Sequence, residues 1–181
     1  MLLPPVILVN EQDEPVGTME KLEAHQKGLL HRAFSVFVVN SAGEMLLQQR
    51  AQDKYHSGGL WTNTCCSHPL PGEDTLAASH RRLVEEMGFD CPLEEIFSFT
   101  YQASFDNGLT EYEFDHVLVG TYDGAVAPDQ AEVQAHRYLP LDRIRALLHE
   151  EPDTFTHWFH LAFPKIVEYL EKQDTNDRQA G

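Results

Sequence analysis

The chain has 181 residues, of which 42% are hydrophobic and 23% charged, and its 13 Lys and Arg against 29 Asp and Glu leave a net charge of -16. That balance speaks against general nucleic-acid binding, which needs a basic face, and against docking on anionic membranes; a local cluster of Lys and Arg can still hold a small anionic substrate. No apolar run approaches the roughly 18 residues of a membrane helix, no leader pattern is visible in the first five residues, and Cys65, Cys66 and Cys91 form a poor disulfide framework that fits a reducing, cytoplasmic setting.

In chain order, Val6 to Val9 reads as a short strand. Ala33 to Val39 is a second, and the turn at Asn40 to Gly43 leads into a third, Met45 to Gln49. Gly58-Gly59 precedes a polar strand-like run, Trp61 to His68. Leu76, Ala77, His80, Leu83, Val84 and Met87 recur at helical spacing, with Gly88 as the stop. Phe97 to Ala103 and Glu111 to Tyr122 predict a hairpin around Asp106-Asn107-Gly108. Helices are expected over Leu141 to Glu150 and over Thr154 to Lys172, the second kinked at Pro164. The mixture predicts an α+β fold, a mixed or mostly antiparallel sheet with helices packed on it. One domain is expected over 1–172, followed by a flexible polar tail, 173–181.

Two strands offer ligands at strand spacing. Alternation puts Glu111 and Glu113 on one face, and likewise Cys66 and His68, with Cys65 on the other side. His25 and His31 flank a short polar segment. Three imidazoles and two carboxylates suit a five-ligand, near-octahedral metal site with one open position; with ten histidines in the chain, scattered surface residues are the plainer reading. Cys66 alone reads as a small buried hydrophobe or as a proton-moving thiol, and Tyr101 as packing. Arg82 and Glu86, four apart on the helix, are either a surface ion pair or a phosphate-holding arginine beside a cation-holding carboxylate.

Ser67 to Phe89 resembles the Nudix box, with Glu73, Arg81, Leu83, Glu85, Glu86 and Gly88 on the pattern. Ser67 replaces its first glycine and Arg82 its second acid, a departure that weakens a hydrolase reading. Glu20-Lys21, Ala24-His25, His31 to Ser35, Trp61 to Pro69, Phe99 to Tyr101, Glu111 to Glu113 and Trp158 are similar, in order, to type I isopentenyl-diphosphate Δ-isomerases, members of the Nudix superfamily. The resemblance implies a Nudix-like mixed sheet flanked by helices and an isomerase of a small alkenyl diphosphate that feeds isoprenoid synthesis, with no nucleic-acid, membrane or protein partner. It implies that His25, His31, His68, Glu111 and Glu113 hold Mn, Mg or Zn, and that Glu86 helps hold a Mg arriving with the substrate. Cys66 would handle protons on one substrate face, and Glu113, assisted by Tyr101, on the other. Lys21, Arg50, Lys54 and Arg82 would meet the diphosphate, and Trp158 the hydrocarbon. The rivals are a Nudix hydrolase of a nucleoside diphosphate derivative and a non-catalytic metal- or ligand-binding module.

Overall fold

The computed structural model describes residues 4–180; residues 1–3 of the segment searched for a leader, and residue 181 of the tail, lie outside it. Among the described residues, nine strands form one mixed sheet flanked by four α-helices. The strands are β1 (Pro5–Val9), β2 (Pro15–Glu20), β3 (His31–Val39), β4 (Glu44–Arg50), β5 (Trp61–Thr62), β6 (Cys65–Ser67), β7 (Leu93–Ser104), β8 (Thr110–Thr121) and β9 (Val133–Pro140). The helices are α1 (Lys21–Lys27), α2 (Thr75–Met87), α3 (Leu141–Glu150) and α4 (His157–Ala180). Among the described residues, no helix is long and apolar enough to cross a membrane.

Strand β3 is the centre. It runs parallel to β8 on one side and pairs antiparallel with β1, β6 and β4 along the other. Its near-continuous apolar run follows from that position, since helices cover both faces of the sheet. Phe37 and Val39 point into a core completed by α3 and α4, with Ile144, Phe159, Phe163 and Ile166. Phe34, Val36 and Val38 point the other way, onto Ala78, Leu83 and Met87 of α2. On β8 the alternation is equally plain in the first half: Glu111, Glu113 and Asp115 are buried while Tyr112, Phe114 and His116 between and beyond them are partly exposed.

Several elements depart from the sequence expectation. The run from Trp61 to His68 is broken at Asn63-Thr64 into β5 and β6, because both side chains turn inward and bond backbone: Thr64 Oγ1 donates to the Leu46 carbonyl, and Asn63 Nδ2 to those of Val36 and Cys65. β2, α1 and β9 lack a strong apolar period and go unread. On α2, Leu76 and Val84 are exposed, because Ser79 and Glu86 take inward positions instead. Helix α4 continues through Pro164 and past Lys172 to Ala180.

Helix α2 has well-defined ends. Asp74 accepts from the Ala77 amide at its start, and Gly88 closes it in the left-handed conformation with φ 75°. A Cβ at Gly88 would lie 2.3 Å from the Ala127 carbonyl oxygen, whereas one at Gly72 (φ 80°) would meet nothing within 4 Å. Gly88→Ala is therefore expected to cost clearly more than the roughly 1 kcal/mol of left-handed strain alone, lowering Tm by several degrees. Gly72→Ala should cost only the backbone contribution, and calorimetry on the two variants checks the difference.

Candidate active site

Strand register assembles the site. His31 stands level with Glu113 across β3 and β8, and Tyr101 level with Glu113 across β7 and β8. Residues directly opposite one another share a face, so imidazole, carboxylate and phenol form one row. Cys66 joins that face by pairing with Ser35 of β3, and His68 follows two residues on. Cys65 points away into the core under α2, the separation that alternation predicts. Helix α1 supplies Lys21 and His25, four apart and so on one side; Glu20 caps its start by accepting from the Glu23 amide, and Gly28 ends it.

The imidazoles are held in a ligand-ready tautomer. His25 Nδ1 lies 2.7 Å from the Lys21 carbonyl and His31 Nδ1 lies 2.8 Å from the Leu29 carbonyl. A carbonyl only accepts, so each Nδ1 carries the proton and each Nε2 presents a lone pair. Both Nε2 atoms are buried without a hydrogen-bond partner. Donor atoms of His25, His31, His68 and Glu113 all lie within 4.8 Å of one another, a set that can hold a metal ion. Burial, with His31 beside it, pushes His25 down to about 4. Burial and the nearby Lys21 push His68 down to about 3. Both rings are therefore neutral at pH 7.

Glu111 and Glu113 are driven apart. Burial would raise Glu113, but the imidazoles of His68, whose Nε2 lies 2.9 Å from it, and of His31, at 3.5 Å, outweigh it and leave this carboxyl well below the usual range. Burial and the neighbouring Glu113 charge push Glu111 well above it. Tyr101 bridges them, its Oη donating to Glu113 Oε2 at 2.7 Å and lying 3.2 Å from Glu111 Oε2. Its role as simple packing is thus exceeded. Glu111 stands apart from the four-residue donor group and clusters instead with His25 and His56.

A cavity of about 30 Å³ is lined by Lys21, Arg50, Cys66, His68, Tyr101, Glu111, Glu113 and Trp158. Burial raises the Cys66 thiol to about 12 against the opposing pull of Arg50, whose Nη1 lies 3.6 Å from Sγ. The thiol is therefore protonated. Burial and the Arg50 charge bring Lys21 down to about 8. Trp158 is pinned by an Nε1 hydrogen bond of 3.1 Å to Asn63 Oδ1, and the Arg50 guanidinium lies 5.3 Å over its ring.

Lys54, Arg82 and Glu86 do not line this cavity. They form an ion cluster beside it, where Arg82 contacts Glu85 and Glu86 at 2.6 Å each and Glu132 at 3.5 Å, while Lys54 pairs with Glu132. Glu73 is bidentate to Arg81 and caps the turn at Leu70. Sequence reasoning missed Tyr55, His56 and Asn63 as site residues. Asn63 sits inside the most specific run of the family resemblance; Tyr55 and His56 lie in an aperiodic loop that offers no spacing signal.

The NUDIX domain model matches residues 29–159. A crystal structure from Deinococcus radiodurans superposes with a TM-score of 0.67 over 81% of this chain and 90% of its own, at 19% identity. The MutT protein from Methanosarcina mazei Go1 does so with a TM-score of 0.64 over 77% and 94%, at 18% identity. Such identities speak for the fold alone, and the fold is that of the Nudix superfamily. Sequence relatives narrow the class. The isopentenyl-diphosphate Delta-isomerase of Pectobacterium atrosepticum is 52% identical over 171 residues, 94% of this chain and 96% of its own. That of Burkholderia multivorans is 55% identical over 155 residues, 86% and 88%. The chain belongs to the isopentenyl-diphosphate Delta-isomerase family.

The depressed imidazoles have a consequence for stability without metal. The unfolded chain binds protons at these histidines near pH 6.5 and the folded chain only near 4 and 3, so the unfolded state holds more protons in between. Their contribution is complete above about pH 6.5 and is lost as pH falls toward 4. Imidazole NMR titration of metal-free protein should show His25 and His68 neutral at pH 5.5, with Tm already declining; charged rings at that pH would contradict the burial argument.

Proposed function

We infer that this protein converts isopentenyl diphosphate to dimethylallyl diphosphate, supplying isoprenoid synthesis. The observation that carries the chemistry is the pair Cys66 and Glu113. They line one small cavity from β6 and β8, strands on opposite sides of β3, and one holds a proton while the other has released it. Moving a double bond along a five-carbon chain needs that arrangement: one carbon gains a proton and another loses one.

Tyr101 donates to Glu113 and lies beside Glu111, so its phenol holds the Glu113 carboxylate in place and stands next to it as a partner in proton transfer. Lys21 and Arg50 line the cavity and neutralise the diphosphate. Lys54 and Arg82 would join them by exchanging Glu132 for phosphate oxygens, and Glu86 would help hold a Mg arriving with the substrate. Trp158 turns its ring toward the hydrocarbon, where a π-face stabilises positive charge, and a cavity closed around the bound substrate would keep water from capturing that charge. Mn, Mg or Zn on His25, His31, His68, Glu111 and Glu113 supplies a fixed positive charge that tunes the proton affinity of Glu113. The orphaned Nε2 atoms of His25 and His31 fit that role. Hydrolysis is disfavoured because Arg82 stands where the Nudix box carries an acid and neutralises Glu85 and Glu86.

Incubation with isopentenyl diphosphate and Mg, followed by acid, tests the reading, because only the allylic product is acid-labile; release of inorganic phosphate before acid treatment would point to a hydrolase. Cys66→Ala is expected to abolish turnover with fold and metal content intact, and Cys65→Ala to be far milder. Equal effects would refute the face assignment. Glu113→Gln is expected to be inactive even when metal-loaded.

Removing Lys21 should act on binding. Loss of one charge-assisted contact, roughly 1.5–3 kcal/mol, predicts a KM for Lys21→Ala about tenfold or more higher. A fall in kcat at unchanged KM would place Lys21 in the transition state instead.

A further inference from the structure

The loop between β4 and β5 carries the one imidazole of the site that strand and helix spacing does not explain. His56 is 7% exposed. Its ring stacks on Phe105 with centroids 5.1 Å apart and meets the edge of Trp158 at 6.3 Å. Nδ1 lies 3.3 Å from Ser57 Oγ, which turns Nε2 inward to within 3.1 Å of Glu111 Oε1. Donor atoms of His56, Glu111 and His25 all lie within 4.8 Å of one another.

This group and the one formed by His25, His31, His68 and Glu113 share His25. His25 has a single donor to give, because its Nδ1 is committed to the Lys21 carbonyl. The two groups therefore cannot hold two ions at once, and a single ion at His25 Nε2 is the arrangement that draws on both. With the three imidazoles and two carboxylates proposed above, such an ion would keep one octahedral position open. His56 is the neighbour placed to fill it.

We propose that His56 is a sixth ligand of the cation, delivered by the 51–60 loop and withdrawn when substrate is admitted. The second half follows from size and connectivity. The cavity, about 30 Å³ with Tyr55 and His56 on its wall, has room for about one water. A five-carbon chain with its diphosphate needs the scale of an ordinary ligand pocket, about 300 Å³ or more, so this wall must move outward. The loop that carries it also carries Lys54 and follows Arg50, whose Nη2 donates to the His56 carbonyl at 3.3 Å. Side chains proposed to grip the diphosphate are thus tied to the backbone of the residue that must leave. The loop is held to the rest of the molecule at this point by Asn107 Nδ2 donating to the Tyr55 carbonyl at 2.9 Å, on the tip of the β7–β8 hairpin.

This proposal rests on the metal reading above, and one experiment separates the two. Protein labelled with ¹⁵N-histidine is loaded with Mn²⁺, and directly coordinated nitrogens are counted by pulsed EPR. Four are expected in the resting protein and three after adding isopentyl diphosphate, which is saturated and cannot react. His56→Ala and the bulkier His56→Gln should each show three throughout and bind Mn²⁺ roughly tenfold or more weakly. Three nitrogens in the resting wild-type protein overturn the assignment of His56 while leaving the other ligands in place, even if both variants bind metal weakly. Four nitrogens retained with the diphosphate bound overturn its withdrawal. No coordinated nitrogen at all overturns the metal reading together with this one.

Discussion

The site depends on the parallel register of β3 with β8. At one end that register places His31 level with Glu113, and at the other it sends Phe37, Val39 and Val117 into the core under α3 and α4. A slip of one residue would turn the whole of β8 over. Glu111 and Glu113 would leave the site, and Tyr112 and Phe114 would replace them. The apolar half of the strand pair therefore enforces the position of the polar half, and the chemistry is held in place by packing that lies outside it.

The same strand face confronts the protein with three buried acids in succession, Glu111, Glu113 and Asp115. They cannot all be charged at such separations in a medium of low polarity. Burial and the Glu113 charge push both neighbours well above the ordinary carboxyl range, while the imidazoles of His31 and His68 hold Glu113 below it. Asp115 accepts from Ser35 Oγ at 2.7 Å. Environment alone thus gives identical side chains different protonation states. The chain as a whole is strongly acidic, yet Lys21 and Arg50 face this cavity, so local placement, and not net charge, decides which ion it attracts.

Much of this was legible in the sequence because period two is a geometric statement. Alternation alone put Cys66 with His68 and Glu111 with Glu113, and separated Cys65 from Cys66. The joining of those pieces was not legible from spacing, since register is a long-range property; the order of motifs shared with the isomerase family supplied it. Elements fixed by tertiary pairing, such as β2, α1 and β9, left little periodic trace. Lys54, Arg82 and Glu86 were grouped with the diphosphate pocket by resemblance, whereas the structure shows them bound to one another and to Glu132, a partner 78 residues from Lys54 that no local pattern announces.

The carbonyl groups that fix the histidine tautomers belong to the main chain at Lys21 and Leu29. Replacing either side chain leaves those oxygens where they are. Lys21 therefore faces the site through two separate atoms, its ammonium on the cavity wall and its carbonyl accepting from His25. A change of side chain at position 21 alters the charge on the cavity wall while leaving in place the carbonyl that orients His25. In evolutionary terms the two traits are uncoupled although they share one helical turn, and the wall charge can drift while the imidazole orientation stays protected from mutation.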